Sequence, residues 1–368
     1  MIARGRDTAS GRPIEVEFSD TIEAVRELPL GTAVDTYLAP GFIDLQVNGF
    51  ATVDYADPSI SQFHIERSFQ AIYATGVTRF YPTVITGAPD NMEAALRNLA
   101  GSTAGGFHVE GPHISPEDGP RGAHPKRWVR PPDFDEFRRW QDATEGRVRI
   151  VTLAPEWPEA LSYIERVVAQ GVVIAIGHTQ ATAAQLDDAV SAGATLSTHL
   201  GNGAHGVMRR HPNYIWHQMA DDRLMADFIV DGIHLDASFL KVALRAKGIE
   251  RSVLVTDAAP PAGAAPGRYR LGEQEVELSP EGRVTLAGSD RLAGSALHMN
   301  DAVANTVRMT GVSLDDAVRM ATTNAARAGK VQGRTQGLTP GDRADLVEFT
   351  FDGSLKVLAT WLDGRQVT

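Results

Sequence analysis

Residues 172–179 read Val172-Val173-Ile174-Ala175-Ile176-Gly177-His178-Thr179. The apolar run is too hydrophobic for a half-exposed strand, so it fits one covered on both faces. The same texture recurs at Phe42 to Val47, Val77 to Val84, Phe107 to Val109, Val148 to Leu153, Thr195 to Thr198, Leu224 to Val230 and Val253 to Val255. Helical stretches lie between these runs. Phe239, Leu240, Ala243 and Leu244 have amphipathic spacing, and Ser191-Ala192-Gly193 looks like a helix stop. Strand-helix alternation over eight runs predicts an α/β fold, a TIM-like parallel (β/α)8 barrel.

The flanks have another texture. Ile14-Glu15-Val16-Glu17-Phe18 alternates as a strand of a small sheet does, and so does the tail from Gly341, with Asp345-Leu346-Val347-Glu348-Phe349 and Lys356-Val357-Leu358. Residues 1–38 and 331–368 are therefore expected to pair as a small discontinuous β-sandwich domain, with residues 39–330 forming the barrel. Residues 258–291, rich in Gly and Pro with hairpin-like alternation, read as an insertion on the barrel rim. Two helices follow, one carrying Met299, Val303 and Val307 on one face, the other opened by the capping-box pattern Ser313-Leu314-Asp315-Asp316.

Composition narrows the function. The 368 residues carry 35 Lys and Arg against 46 Asp and Glu, a formal charge of −11 that repels nucleic acid and anionic membranes. Without cysteine there is no disulfide, thiolate ligand or thiol nucleophile, so any metal site must use His and carboxylate. The N-terminal stretch MIARGRDTASGRPIEVEF has no apolar core, and no run approaches the ~18 residues of a membrane span. A soluble, cytoplasmic protein is expected.

What terminates the predicted strands is the informative feature. Glu110 ends Phe107-His108-Val109, His178 follows Val172 to Ile176, His199 follows Thr195 to Thr198, and Asp257 follows Val253 to Thr256. In a barrel the C-terminal strand ends converge, which would make these four residues neighbours. Two imidazoles and a carboxylate form a common catalytic zinc set with one position open to water, and Asp257 is then a spare carboxylate able to act as base. The other histidines read as structural: His64 and His298 on helix surfaces, His108 within a strand, and His217 beside Trp216 in an aromatic helix.

At this point a family resemblance becomes visible. Pro40-Gly41-Phe42-Ile43-Asp44-Leu45-Gln46-Val47-Asn48-Gly49, His108-Val109-Glu110-Gly111-Pro112, Gly177-His178-Thr179, Thr198-His199-Leu200, Asp231-Gly232-Ile233-His234, Val255-Thr256-Asp257-Ala258 and Leu292-Ala293-Gly294-Ser295 stand in the order seen in N-acetylglucosamine-6-phosphate deacetylases of the amidohydrolase superfamily. The resemblance spans almost the whole chain. It implies hydrolysis of the acetamide of N-acetylglucosamine 6-phosphate. Glu110, His178 and His199 would be the metal ligands and Asp257 the catalytic acid and base. Ala123 and His124 would lie beside the acetamide, with Asn202, Gly203, Arg210 and His234 around the phosphate. Leu292, Ala293 and Gly294 would be the substrate-covering loop. It further implies a homodimer in which Arg210 reaches the neighbouring subunit's pocket. Many superfamily members carry His-x-His on the first strand for a second metal; here the pair is Gln46 and Asn48, so one divalent metal ion per subunit, zinc, is expected.

The chain also departs from the family pattern. Gly201-Asn202-Gly203-Ala204 replaces the usual Tyr-Asn-Ala-Met, and His113 and His211 are unexpected, so an altered wall of the sugar pocket is predicted. N-acetylgalactosamine 6-phosphate or an N-acyl amino acid are the alternative substrates. A metal-bound barrel without catalysis would be expected to lack the base, and Asp257 is present. Gly201 to Gly206 also fits G-x-G-x-x-G, with Asp221 and Asp222 about 20 residues on as the dinucleotide fingerprint asks. That fingerprint must open a helix, and Pro212 interrupts too soon. No G-x-S-x-G elbow is present.

Overall fold

The computed structural model describes residues 1–334 and 337–368. Eight parallel strands follow one another around a barrel: β1 (Phe42–Val47), β2 (Val77–Ile85), β3 (Phe107–Glu110), β4 (Val148–Leu153), β5 (Val173–Ile176), β6 (Leu196–Ser197), β7 (Met225–Phe228) and β8 (Ser252–Leu254). A parallel bridge between Val47 and Ala258 closes the ring. Every residue of β3, β5 and β8 is buried, as their apolar runs require. Each fully buried Val, Leu or Ile contributes roughly 1.5–3 kcal/mol. The structure shortens some of the predicted runs. Thr195 to Thr198 contracts to two ladder residues because His199 turns into left-handed backbone, φ 31°, and leaves the sheet.

The helices begin and end where their local chemistry dictates. Thr182 and Gln185 form a reciprocal capping box that opens the helix Ala183–Ser191. Asp236 caps Ala237–Lys247, which buries Leu240, Ala243 and Leu244, and Ser313 caps Leu314–Met320. His298 proves to be the residue preceding Met299–Thr310, packed on Phe50 at 5.2 Å, rather than a helix-surface residue.

The terminal segments form one seven-stranded sheet, in the spatial order Arg365–Gln366, Leu355–Leu362, Leu346–Phe351, Tyr37–Pro40, Ile2–Arg6, Pro13–Phe18, Ile22–Glu27. It curls until its two halves face each other, with Phe18 edge-on to Trp361 at 6.1 Å around Val16, Ile22, Leu38 and Leu346. Elsewhere it joins the barrel core, where Phe349 meets Phe42 at 6.3 Å. A buried ionic knot locks the two units. Asp345 receives Arg79 Nε at 2.7 Å and Arg334 Nη1 at 3.2 Å. Burial alone would raise the Asp345 pKa, but the guanidiniums of Arg334 and Arg79 hold it below the usual carboxylate value.

The rim insertion is a three-stranded antiparallel sheet, Gly267–Leu271, Gln274–Leu278 and Val284–Leu286, standing over the C-terminal end of the barrel. Its apolar side packs on Ile85, Ala259 and Ala293, and Asp54 accepts a hydrogen bond from the Gly272 amide at 2.7 Å. Among the described residues no helix is long and apolar enough to cross a membrane.

Candidate metal centre

Glu110, His178 and His199 meet at the C-terminal end of the barrel. Nε2 of His199 lies 2.9 Å and Nε2 of His178 3.2 Å from the same carboxylate oxygen, Glu110 Oε1. All three are buried, and their ligand atoms lie within 4.8 Å of one another. Nδ1 of His178 lies 2.8 Å from the Pro120 carbonyl, to which it can donate; that hydrogen bond leaves the Nε2 lone pair for a ligand role. The backbone amide of His199 donates to Asp227 Oδ1 at 2.5 Å. Burial would raise the Glu110 pKa, but the two imidazoles pull it well below the usual carboxylate value. Two nitrogens and a carboxylate oxygen aimed at one point form a donor set that fits a single divalent ion.

The strand ends carry strain at these residues. His178, His199 and Asp257 take φ of 50°, 31° and 51°, a region costing non-glycine residues roughly 1–3 kcal/mol each. The turn swings each side chain off its strand and over the barrel mouth.

Asp257 faces the cluster. Its Oδ1 accepts from Asn48 Nδ2 at 2.6 Å and Gln46 Nε2 at 2.9 Å, while its Oδ2 accepts from none of the described residues. The period-two spacing on and just past β1 thus puts both amides on one face, where they grip the carboxylate. Burial and the Glu110 charge push Asp257 up to about 6. His124, on the loop after β3, hydrogen-bonds through Nδ1 to Thr86 Oγ1 at 2.8 Å, and its Nε2 is 3.8 Å from Glu110 Oε2. Burial lowers the His124 pKa to about 3, so its ring is neutral. Gly111 makes room for this contact, since a Cβ there would sit 2.2 Å from Thr86 Oγ1.

Above these groups opens a cavity of about 390 Å³. Ala123, His124, Asn202, Gly203 and His234 line it, and Leu292, Ala293 and Gly294 form its rim-side wall. The ring of His234 is fixed by Asp231, Nδ1 to Oδ2 at 2.6 Å. Arg210 stands apart. It is exposed on the excursion between β6 and the helix Tyr214–Ala220, and it does not line this chain's own cavity.

One expectation needs correction. His113 does not reach the pocket; it is buried beside Trp140 and Tyr163, at ring distances of 5.6 and 5.2 Å, because its strand-end turn points into the core. A histidine that the sequence did not point to, His205, lines the pocket instead, its Nδ1 2.9 Å from the Tyr214 hydroxyl. Reading the sequence also missed the gripping role of Gln46 and Asn48, the Thr86 support of His124, and Arg283 and Arg291, which line the cavity from the rim insertion. Asp231, three residues before His234, was the one such partner with a local signal. Gly201 to Gly206 is loop, with no helix before Tyr214–Ala220, which removes the dinucleotide reading.

Comparison with known proteins fits this geometry. The model of the amidohydrolase family matches residues 37–367. N-acetylglucosamine-6-phosphate deacetylase of Bacillus subtilis is 35% identical over 329 residues, covering 86% of this chain and 82% of that one. The crystal structure of the N-acetyl-D-glucosamine-6-phosphate deacetylase of Mycobacterium smegmatis superposes with a TM-score of 0.91 at 32% identity, covering 100% of both chains. The chain belongs to the N-acetylglucosamine-6-phosphate deacetylase family of amidohydrolases. A further relative is the N-acetylgalactosamine-6-phosphate deacetylase of Escherichia coli, 33% identical, covering 94% of this chain and 92% of that protein. Within the deacetylase family, then, relatives act on either sugar epimer.

Proposed function

We propose that this chain hydrolyses the acetamide of N-acetylglucosamine 6-phosphate to acetate and glucosamine 6-phosphate. The observation that carries the reading is the buried Glu110, His178 and His199 cluster facing Asp257 on the floor of one cavity. Glu110, His178 and His199 would hold a single divalent ion, zinc. When bound, such an ion activates a water and polarises a carbonyl oxygen at neutral pH. Asp257 takes the proton of the attacking water at its free Oδ2 while Gln46 and Asn48 hold Oδ1. Neutral His124, oriented by Thr86, hydrogen-bonds the acetyl oxygen as it gains charge. Asp257 then returns the proton to the nitrogen, without which the amine cannot leave. Leu292, Ala293 and Gly294 cover the sugar; Ala123 abuts the acetamide.

Asn202, Gly203 and His234 take the phosphate end, together with Arg210 of a second copy in a two-fold dimer. Val207, 93% exposed, and Trp216, 46% exposed, flank Arg210 and offer that second copy an apolar surface. We assign catalysis to residues 39–330 and support to residues 1–38 and 331–368. We place the enzyme in the cytoplasm, where phosphorylated sugars are retained by their charge. The galactosamine epimer is the second reading, favoured by the Escherichia coli relative. An acetate-release screen across phosphorylated and plain N-acetyl sugars tests the assignment. The glucosamine 6-phosphate derivative should be hydrolysed fastest.

A further inference from the structure

The opposite end of the barrel holds a second cavity of about 380 Å³, nearly the size of the one above the metal cluster. It lies where the N-terminal ends of β2 and β4 meet the terminal sheet. Arg79, Arg149, Lys330 and Arg343 line it, and among the described residues no carboxylate does. On a chain of net charge −11 that is an uneven distribution. Arg79 and Arg343 are balanced from behind by Asp345 and Asp363. Arg149 and Lys330 are not. Arg149 is exposed and makes no hydrogen bond or ion pair among the described residues, and Lys330 Nζ reaches only the Gly171 carbonyl, at 3.2 Å.

Lys330 sits just beyond the helix Thr323–Ala328 with φ of 51°, a conformation that glycine takes at lower cost and that long side chains rarely adopt. The preceding residue, Gly329, is glycine for packing, since a Cβ there would meet Leu45 at 2.5 Å. That left-handed turn ends the helix, with the Val331 amide donating to the Ala326 carbonyl at 2.8 Å and the Lys330 amide to the Arg327 carbonyl at 3.4 Å, a stop that glycine serves as well; the lysine side chain, at the mouth of a cavity with another unpaired cation, is not needed for it. The N-terminal face of such a barrel ordinarily serves stability, which unpaired cations do not supply. Phe80, Tyr81 and Leu362 give the same cavity an apolar wall.

We infer that this cavity is a second binding site, for a phosphomonoester of about one monosaccharide's size, with Arg149 and Lys330 on the phosphate and the wall of Phe80, Tyr81 and Leu362 against its body. β2 runs from this cavity, at Arg79, to the substrate cavity, at Ile85, about 20 Å away along the strand. The site is therefore separate from catalysis while sharing a strand with it.

Isothermal titration with glucose 6-phosphate, which has no acetamide, tests this. The wild-type chain should bind one equivalent more than the Arg149→Gln/Lys330→Gly variant, and each single substitution should weaken that equivalent at least tenfold. Both side chains are exposed and glycine suits the backbone at 330, so the variants should fold and keep kcat/KM within twofold. Equal stoichiometry and affinity in wild type and variants would overturn the inference. Failure of acetate release would instead count against the proposed activity and leave this count of equivalents unaffected.

Discussion

Acid should destabilise the fold through His113, and replacing that residue should remove part of the effect. Its ring is buried beside Trp140 and Tyr163, with Nδ1 on the Arg130 carbonyl at 3.3 Å and, among the described residues, no partner for Nε2. Burial lowers its pKa from 6.5 to about 4, a depression that the nearby Glu136 only partly offsets. The unfolded chain therefore binds a proton between these two values while the folded chain does not. Stability present at pH 7.5 is lost as pH falls through 6.5 towards 4. With those two pKa values the loss between pH 7.5 and pH 5 comes to about 2 kcal/mol, a shift in Tm of about 2–3 °C for a chain of this length. His113→Phe keeps the ring packing and loses only the 3.3 Å bond to the Arg130 carbonyl, a pH-independent cost that leaves the slope of Tm against pH as the readout. Thermal unfolding of both proteins at pH 7.5, 6 and 5 should show the variant's Tm falling less steeply by that amount. Parallel slopes would refute the assignment of this acid sensitivity to His113.

Metal analysis of protein purified without added metal should give about one equivalent per chain, zinc; two filled sites would contradict the replacement of a second ligand pair by Gln46 and Asn48. Arg210→Ala should raise KM for the phosphorylated sugar by roughly 10- to 150-fold, the worth of hydrogen bonds to a charged group, and leave the unphosphorylated analogue nearly unchanged; equal losses on both would remove Arg210 from the phosphate. Asn48→Leu, which deletes the 2.6 Å bond to Asp257, should lower kcat by about tenfold or more with little change in KM, as expected of a positioning residue. A KM effect alone would place Asn48 on the substrate instead.

The barrel and the meeting of Glu110, His178 and His199 at its mouth were legible in the sequence because each rests on a local signal. Buried parallel strands are continuous apolar runs, and a polar residue at the end of such a run has one place to go. Glu110, His178, His199 and Asp257 could thus be gathered from four separate strands. Asp257's dependence on Gln46 and Asn48 could not, because an amide gripping a carboxylate more than 200 residues away leaves no periodic trace. His113 illustrates the opposite error. It stands three residues past Glu110 and looked like a pocket residue, but the turn after β3 carries it into the core beside Trp140. The curl of the terminal sheet was likewise invisible strand by strand, since it is set by Phe18 meeting Trp361 across the two ends of the chain.

The central claim is that Asp257 moves the proton in a metal-dependent deacetylation, and Asp257→Asn tests it most directly. An asparagine oxygen can still accept from Gln46 and Asn48, so fold and metal content should match the wild type. The amide cannot accept the water's proton. Acetate release from N-acetylglucosamine 6-phosphate, measured on wild type and variant with equal bound metal, should fall by at least about 10²-fold. A variant that keeps a tenth of the wild-type rate would contradict the account.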